Sequence, residues 1–275
     1  MPQLKTIVIT GASAGIGAEI ARRLGADGHQ LVLAARRAAE LQAVAKEAEH
    51  RGARRAIAVE TDVTRRADVE ALGNAAVKAF GGFDVWINNA GRGITRSVLD
   101  LSENDLDEMM TVNVKSALYG MQVAAAHFLE RGHGQIINVS SFLGRVPMAV
   151  HRSAYNAAKS ALNALTANLR VDLRNKNPNV RVTLVMPGMV ATEFARNAIG
   201  APPDAAVYAG PYVQTVEQVA EIVARVIETP VAEVYTNPAS AEMARRYFAD
   251  VEAFETQGAQ GGSPWQTAPG SAKKP

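Results

Sequence analysis

Tyr155 and Lys159 stand four residues apart in the segment Ser153-Ala154-Tyr155-Asn156-Ala157-Ala158-Lys159. On a helix that spacing puts both side chains on one face. A tyrosine hydroxyl titrates near pH ~10, so it moves protons near neutrality only with help. An ammonium about 4 Å away, at an effective dielectric of about 20, favours the phenolate by up to ~4 kcal/mol, or ~3 pKa units. The pair is then a usable general acid and base. A surface tyrosine lying along a lysine stem is the plainer account of the same residues. Ser140 and Ser141 follow the apolar run 135–139. Either hydroxyl, at a strand end, can donate to or accept from a substrate oxygen beside the tyrosine.

A second cluster suits phosphate. Thr10-Gly11-Ala12-Ser13-Ala14-Gly15-Ile16-Gly17 lies between an apolar run and an amphipathic segment. Glycines let the backbone turn and come close to a pyrophosphate, and a helix N-terminus offers N–H groups and positive dipole. The spacing is GxxxGxG and not GxGxxG, and a tight strand-to-helix turn without a ligand is the alternative. The next apolar run ends Leu33-Ala34-Ala35-Arg36-Arg37. An acidic residue at the strand end would bond adenine-ribose hydroxyls and repel a 2′-phosphate. Ala35 stands there instead, and the guanidinium of Arg36 can pair bidentately with a phosphate. Positive charge at a helix start opposes the dipole, so a phosphate partner accounts for Arg36 and Arg37 better than solvent does. Ala14 supplies no second basic group in the turn.

These residues need a scaffold. Apolar runs at 4–10, 30–35, 54–59, 83–87, 135–139 and 181–185 alternate with amphipathic stretches at 15–27, 38–51, 66–80, 103–130 and 153–175. Runs apolar on both faces read as parallel strands covered on both sides, which predicts a doubly wound α/β sheet. A further helix is expected over 216–228 and a short strand over 233–235. No composition break divides residues 1–250, read as one domain. Residues 251–275 read as a mostly flexible tail, because QGAQGGSPWQTAPGSAKKP from Gln257 onward lacks periodicity. Two excursions, 144–152 and 189–212, follow strand ends, where ligands sit in such sheets. The second carries Phe194, Tyr208 and Tyr212, pointing to an apolar substrate.

Composition removes other classes. A hydrophobic fraction of 48% with 20% charged residues fits a chain with a large core and excludes a disordered one. The net charge of +2 comes from Lys273 and Lys274 alone, so no nucleic-acid partner is implied. With no cysteine, disulfides, thiolate catalysis and Cys-based metal sites are excluded. The five histidines show no metal spacing, and no metal is expected. Without a long apolar run or a leader-like N-terminus, no membrane partner is expected and the cytoplasm is the simplest address.

In that order, TGxxxGxG at 10–17, Asn88-Asn89-Ala90-Gly91, Asn113, Ser140-Ser141, Tyr155-x-x-x-Lys159 and Pro187-Gly188 with Thr192 resemble the short-chain dehydrogenase/reductase family. The resemblance spans about residues 4–235. The longer epimerase-like branch carries TGxxGxxG and a larger C-terminal lobe, and neither is here. The resemblance implies that residues 1–250 form one NAD(P)-binding catalytic domain of Rossmann type, an NAD(P)(H)-dependent oxidoreductase with Asn113, Ser141, Tyr155 and Lys159 as catalytic set, Asn113 kinking its helix and holding a water linked to the lysine. The implied cofactor contacts are Gly11, Ser13, Gly15, Ile16, Gly17, Arg36, Asp62, Val63, Asn89, Ala90, Gly91, Tyr155, Lys159, Pro187, Gly188, Val190 and Thr192. Plainer alternatives stand beside several of these. Asp62 can close a surface Asx turn, Asn88 and Asn89 can tie strand ends, and Asn113 can bond within its own helix. Ser141 lies 14 residues before Tyr155 where the family commonly has 13, which implies one extra residue in 144–152.

The expected activity is NADP(H)-dependent hydride transfer between nicotinamide and a carbonyl or hydroxyl carbon of a small apolar substrate. An NAD-dependent alcohol dehydrogenase and a non-catalytic NADP-binding sensor or scaffold are the alternatives. Small and apolar residues on 103–130 and 153–175 (Ala117, Ala124, Ala125, Ala126, Ala157, Ala158, Ala161 and Ala164) exceed what one sheet face hides, and a homodimer or homotetramer is expected.

Overall fold

Which way each apolar side chain points decides the architecture. In β1 (Thr6–Thr10) Ile7 and Ile9 enter one core and Val8 the other, and in β2 (Gln30–Ala35) Leu31 and Leu33 separate in the same way from Val32 and Ala34. A strand buried on both faces has to lie inside a covered sheet. The computed structural model describes residues 3–202, 204, 205, 207, 210 and 212–259. With β3 (Arg55–Glu60), β4 (Val85–Asn88), β5 (Gly134–Val139), β6 (Val180–Met186) and β7 (Glu233–Tyr235), the sheet runs β3-β2-β1-β4-β5-β6-β7. Every neighbouring pair is parallel.

Helices α1 (Gly15–Ala26) and α2 (Ala38–His50) cover one face together with Val216–Glu228. Helix α3 (Arg66–Phe80) covers the other with Ser116–Arg131 and Ser153–Lys176. This is the Rossmann-type doubly wound sheet expected from the sequence. From β1 the chain winds outward to β2 and β3, then returns to β4 on the opposite side of β1. The ends of β1 and β4 therefore part and open a crevice.

The sequence predicts one helix over 103–130, and the structure breaks it. Helix α4 (Glu103–Met110) starts at a capping box formed by Ser102 and Asp105. A π-type stretch, Thr111–Lys115, follows before α5 (Ser116–Arg131). Asn113 is the cause. Its Nδ2 donates to the Met109 carbonyl at 3.1 Å, the acceptor that the Asn113 N–H would use in an α-helix.

Beneath α5 and α6 (Ser153–Lys176), a buried polar chain joins β4 to β5. Trp86 Nε1 donates to Asn88 Oδ1 at 2.8 Å, Asn88 Nδ2 to Asn138 Oδ1 at 2.8 Å, and Asn138 Nδ2 to Thr166 Oγ1 at 2.9 Å. Gly120 lets α5 approach it, since a Cβ there would lie 2.1 Å from Asn88 Oδ1.

After α7 (Val216–Glu228), the C-terminal part corrects the expected tail. Helices α8 (Pro238–Ala249) and α9 (Val251–Ala259) carry the chain past residue 251 in regular structure. The physical reason is Phe254, which is buried and meets Tyr247 edge to face, with ring centroids 5.4 Å apart. Residues 260–275 lie outside the described ones. Among the described residues no helix is long and apolar enough to cross a membrane.

Candidate active site

The crevice between β1 and β4 is a cleft of about 800 Å³. At one end β1 passes into α1 through a turn in which Gly11 and Gly15 take φ of 66° and 55°, the left-handed region that favours glycine. The first turn of α1 has no side-chain cap and no acidic residue. Its N–H groups and dipole are thus left for an anion. Thr10 Oγ1 accepts the N–H groups of Asn89 and Ala90 at 3.0 and 3.2 Å. Asn89 Nδ2 donates back to the carbonyls of Thr10 and Gly11 at 3.0 and 3.3 Å. The Asn-Asn-Ala-Gly segment therefore does tie strand ends, while Asn89, Ala90 and Gly91 also line the cleft.

Arg36 and Arg37 stand exposed in the cleft wall beside this turn. Arg37 reaches further than its sequence position suggests: its Nη2 lies 3.1 Å from Ser13 Oγ, bringing a guanidinium to the turn that Ala14 leaves without one. Asp62 and Val63 line the adjoining wall. Asp62 Oδ1 accepts from the Thr64 hydroxyl at 2.7 Å and the Thr64 N–H at 3.0 Å, the Asx-type turn of the plainer alternative. Burial pushes this carboxyl up, yet the Thr64 hydrogen bonds and the charges of Arg36 and Arg65 outweigh it and leave its pKa below the ordinary value.

At the other end, β5 delivers two serines with different fates. Ser140 Oγ donates to Asn163 Oδ1 at 2.5 Å and is held against α6. Ser141 Oγ accepts the Leu143 N–H at 3.1 Å at the head of a short 3₁₀ turn, and both serines line the cleft with Tyr155 and Lys159. Lys159 is buried, its Nζ 3.1 Å from the Val139 carbonyl and 5.7 Å from the centre of the Tyr155 ring. All the residues expected at the site line this one cleft except Asn113. Asn113 sits one layer behind, where it accepts the Arg92 N–H at 3.2 Å and donates to the Arg92 carbonyl at 3.0 Å.

The loop after β6 closes the cleft from above. Pro187, Gly188, Val190 and Thr192 line it, and the Thr192 methyl lies 3.5 Å from where a Cβ on Gly15 would stand. Of the three aromatics expected near a substrate, Phe194 lines the cleft beside Tyr155. Tyr212 turns away into the cluster of Phe142, Met243 and Phe254, and Tyr208 lies outside the described residues. Sequence reasoning did not single out Gly93 or Arg152, which also line the cleft. Among the described residues no group of acidic or imidazole side chains could hold a metal ion.

The family model described as short chain dehydrogenase matches residues 5–201. The chain belongs to the short-chain dehydrogenase family. It is 35% identical over 195 residues to the uncharacterized oxidoreductase YxnA of Bacillus subtilis (strain 168), a match covering 70% of this chain and 54% of that one. It thus spans about half the length of that relative. A short chain dehydrogenase/reductase from Burkholderia phymatum in complex with NAD superposes with a TM-score of 0.81 at 30% identity, over 91% of this chain and 95% of that one. An alcohol dehydrogenase from the archaeon Thermococcus sibiricus complexed with 5-hydroxy-NADP gives 0.73 at 28% identity, over 85% and 96%.

The electrostatics of the cleft centre on Lys159. Burial pulls its pKa down from 10.5 to about 8. Below pH 8 the folded protein holds a buried ammonium that the unfolded chain carries in water. Between about 8 and 10.5 the folded state releases its proton first, so the unfolded state binds more protons and stability rises with pH. Relative to a Lys159→Met variant, the ligand-free protein should gain about 1–2 kcal/mol of stability between pH 7 and pH 9.5. Urea midpoints of both proteins across that range check this; a constant difference would contradict it.

Proposed function

We propose that the protein is an NADP(H)-dependent oxidoreductase acting between the carbonyl and hydroxyl forms of a small apolar substrate. One observation supports this: Ser141, Tyr155 and Lys159 line the same cleft as an uncapped helix N-terminus, Arg36 and Arg37. The glycine turn and Asn89-Ala90-Gly91 would hold the pyrophosphate and adjoining ribose, Arg36 and Arg37 a 2′-phosphate, and Asp62-Val63 the adenine. Pro187, Gly188, Val190 and Thr192 would hold the nicotinamide. A bound nicotinamide dinucleotide supplies or accepts the hydride.

The chain's own residues do the rest. In the direction of reduction, Ser141 Oγ donates to the substrate oxygen and draws charge onto it. Tyr155 delivers its hydroxyl proton to that oxygen as the alcohol forms. Lys159, a cation in low dielectric beside the tyrosine ring, stabilises the phenolate that remains. Asn113 positions the backbone of Gly91-Arg92 behind the lysine and would hold the water through which Tyr155 is reprotonated.

NAD dependence is the second reading, favoured by the Burkholderia phymatum complex and by the exposure of both arginines. The reading also includes a two-fold oligomer. Ala117, Ala124 and Ala158 are spent in this chain's own core, whereas Ala126, Ala157 and Ala164 remain exposed along α5 and α6.

Three measurements test the proposal. Tyr155→Phe keeps the ring and removes the proton, so NADPH-linked reduction across a panel of ketones and aldehydes should fall about a hundredfold or more while NADPH still binds. Near-normal turnover would overturn the mechanism, whereas NADPH binding with no turnover of any carbonyl by the unaltered protein would favour a sensor or scaffold. Titration should find NADPH bound more tightly than NADH, with Ala35→Asp plus Arg36→Ala reversing the order; equal or tighter NADH binding by the unaltered protein would favour the NAD reading. Light scattering should give a mass at least twice 29.2 kDa at micromolar concentration, and a monomer would remove the oligomer.

A further inference from the structure

Phe194 is fixed from two sides. Its ring meets that of Tyr155 edge to face, with centroids 5.4 Å apart and planes inclined at 60°. On the other side it rests on the bare backbone of Gly93, where a Cβ would lie 2.8 Å from Phe194 Cε1 and 3.1 Å from Arg152 Nη1. Any larger residue at 93 would drive the ring toward Tyr155.

The loop bearing Phe194 is laced to the same strip. The Ile199 N–H donates to the Gly93 carbonyl at 3.0 Å, the Thr95 N–H to the Ile199 carbonyl at 2.7 Å, and Arg92 Nε to the Asn197 carbonyl at 3.4 Å. The ring is therefore part of the wall. Leu143, Met148 and Met189 line the same end of the cleft. The charges nearby are engaged within the protein. Arg92 pairs with Glu108 at 2.5 Å, Glu193 with Arg196 at 3.1 Å, and Arg152 Nη1 donates to the Ile94 carbonyl at 3.1 Å. What the cleft offers a ligand beside these pairs is apolar surface, an aromatic ring and the hydrogen-bonding groups of Ser141, Tyr155, His151 and Asn197.

We infer that Phe194, seated on Gly93, is a specificity-determining residue that selects neutral carbonyl substrates carrying an aryl substituent, which packs against its ring while the carbonyl lies between Ser141 and Tyr155. This rests on the carbonyl chemistry proposed above and adds the substrate class and the residue that reads it. Ring–ring packing is worth more than equal aliphatic burial, on the order of threefold to tenfold in binding. A leucine in place of the ring keeps the apolar wall and loses that increment.

The test compares kcat/KM for acetophenone and butanone, with NADPH and with NADH, in the unaltered protein and in Phe194→Leu, Phe194→Ala and Gly93→Ala. The unaltered protein should prefer acetophenone. Phe194→Leu should cut the acetophenone-to-butanone ratio about threefold to tenfold and Phe194→Ala by more, the loss on acetophenone exceeding that on butanone in each. Gly93→Ala, by pushing the ring across the site, should lower acetophenone turnover more than butanone turnover. A ratio unmoved by Phe194→Leu, or equal losses on both ketones, would overturn the role of Phe194 and leave the carbonyl chemistry standing. Failure of the unaltered protein to reduce either ketone or any other carbonyl of the panel with either cofactor would overturn both.

Discussion

Where β1 and β4 diverge, two strand ends and a glycine turn must satisfy their backbone polar groups with no further strand between them. Thr10 and Asn89 meet that demand reciprocally, the hydroxyl accepting two N–H groups of the β4 end and the amide donating to two carbonyls of the β1 end. The consequences reach both halves of the cleft. On one side the knot fixes the turn that opens α1. On the other it fixes Ala90-Gly91, and a Cβ on Gly91 would stand 2.8 Å from Asn113 Oδ1 and 3.5 Å from Lys159 Nζ. The glycine turn and the backbone beside Asn113 and Lys159 thus share one anchor, so their separation is set by strand geometry and not by loops.

Burying Lys159 is costly in itself, and the structure offsets the cost locally. The Val139 carbonyl accepts from the ammonium, and the Tyr155 ring faces it within cation–π range. The same low dielectric that pulls the lysine down to about 8 strengthens its field at the tyrosine hydroxyl. Desolvation therefore weakens the charge's hold on its own proton and increases its effect on its neighbour. With a pKa of about 8 the lysine is still mostly charged at neutral pH, where a phenolate needs it.

Much of this was legible from the order of residues. Strands apolar on both faces can serve only in a covered parallel sheet, and the glycine, tyrosine and lysine spacings carry their chemistry with them. Periodicity failed at Asn113, since a single side chain capturing the Met109 carbonyl leaves the surrounding apolar pattern unchanged. It also could not separate Ser140 from Ser141. That distinction depends on Asn163, far along the chain, which engages the first hydroxyl. Tyr212 sits in an apolar-looking loop like Phe194, but that loop is turned by Gln214, whose side chain pairs with Thr236 at 2.5 Å. Local composition gives no hint of such a partner. Helix α9 was missed for the same reason, because Phe254 is a core residue only through Tyr247 and the cluster around Phe142.

That cluster links the end of the chain to the chemistry. Phe142, next to Ser141, donates its N–H to the Pro187 carbonyl at 2.8 Å and packs with Met243, Ala244 and Phe254 of α8 and α9. Gly188 lies against Asn237 and Ser240 at the start of α8, each within 3.6 Å of where its Cβ would stand. The family match ends at residue 201, so both supports come from beyond it. The serine that would polarise the substrate oxygen and the loop that would hold nicotinamide are braced from behind by the part of the chain the family pattern does not define. Core substitutions there act through packing and without touching a ligand, and in a close-packed interior a shift of a few tenths of an ångström at Phe142 is passed on to Ser141.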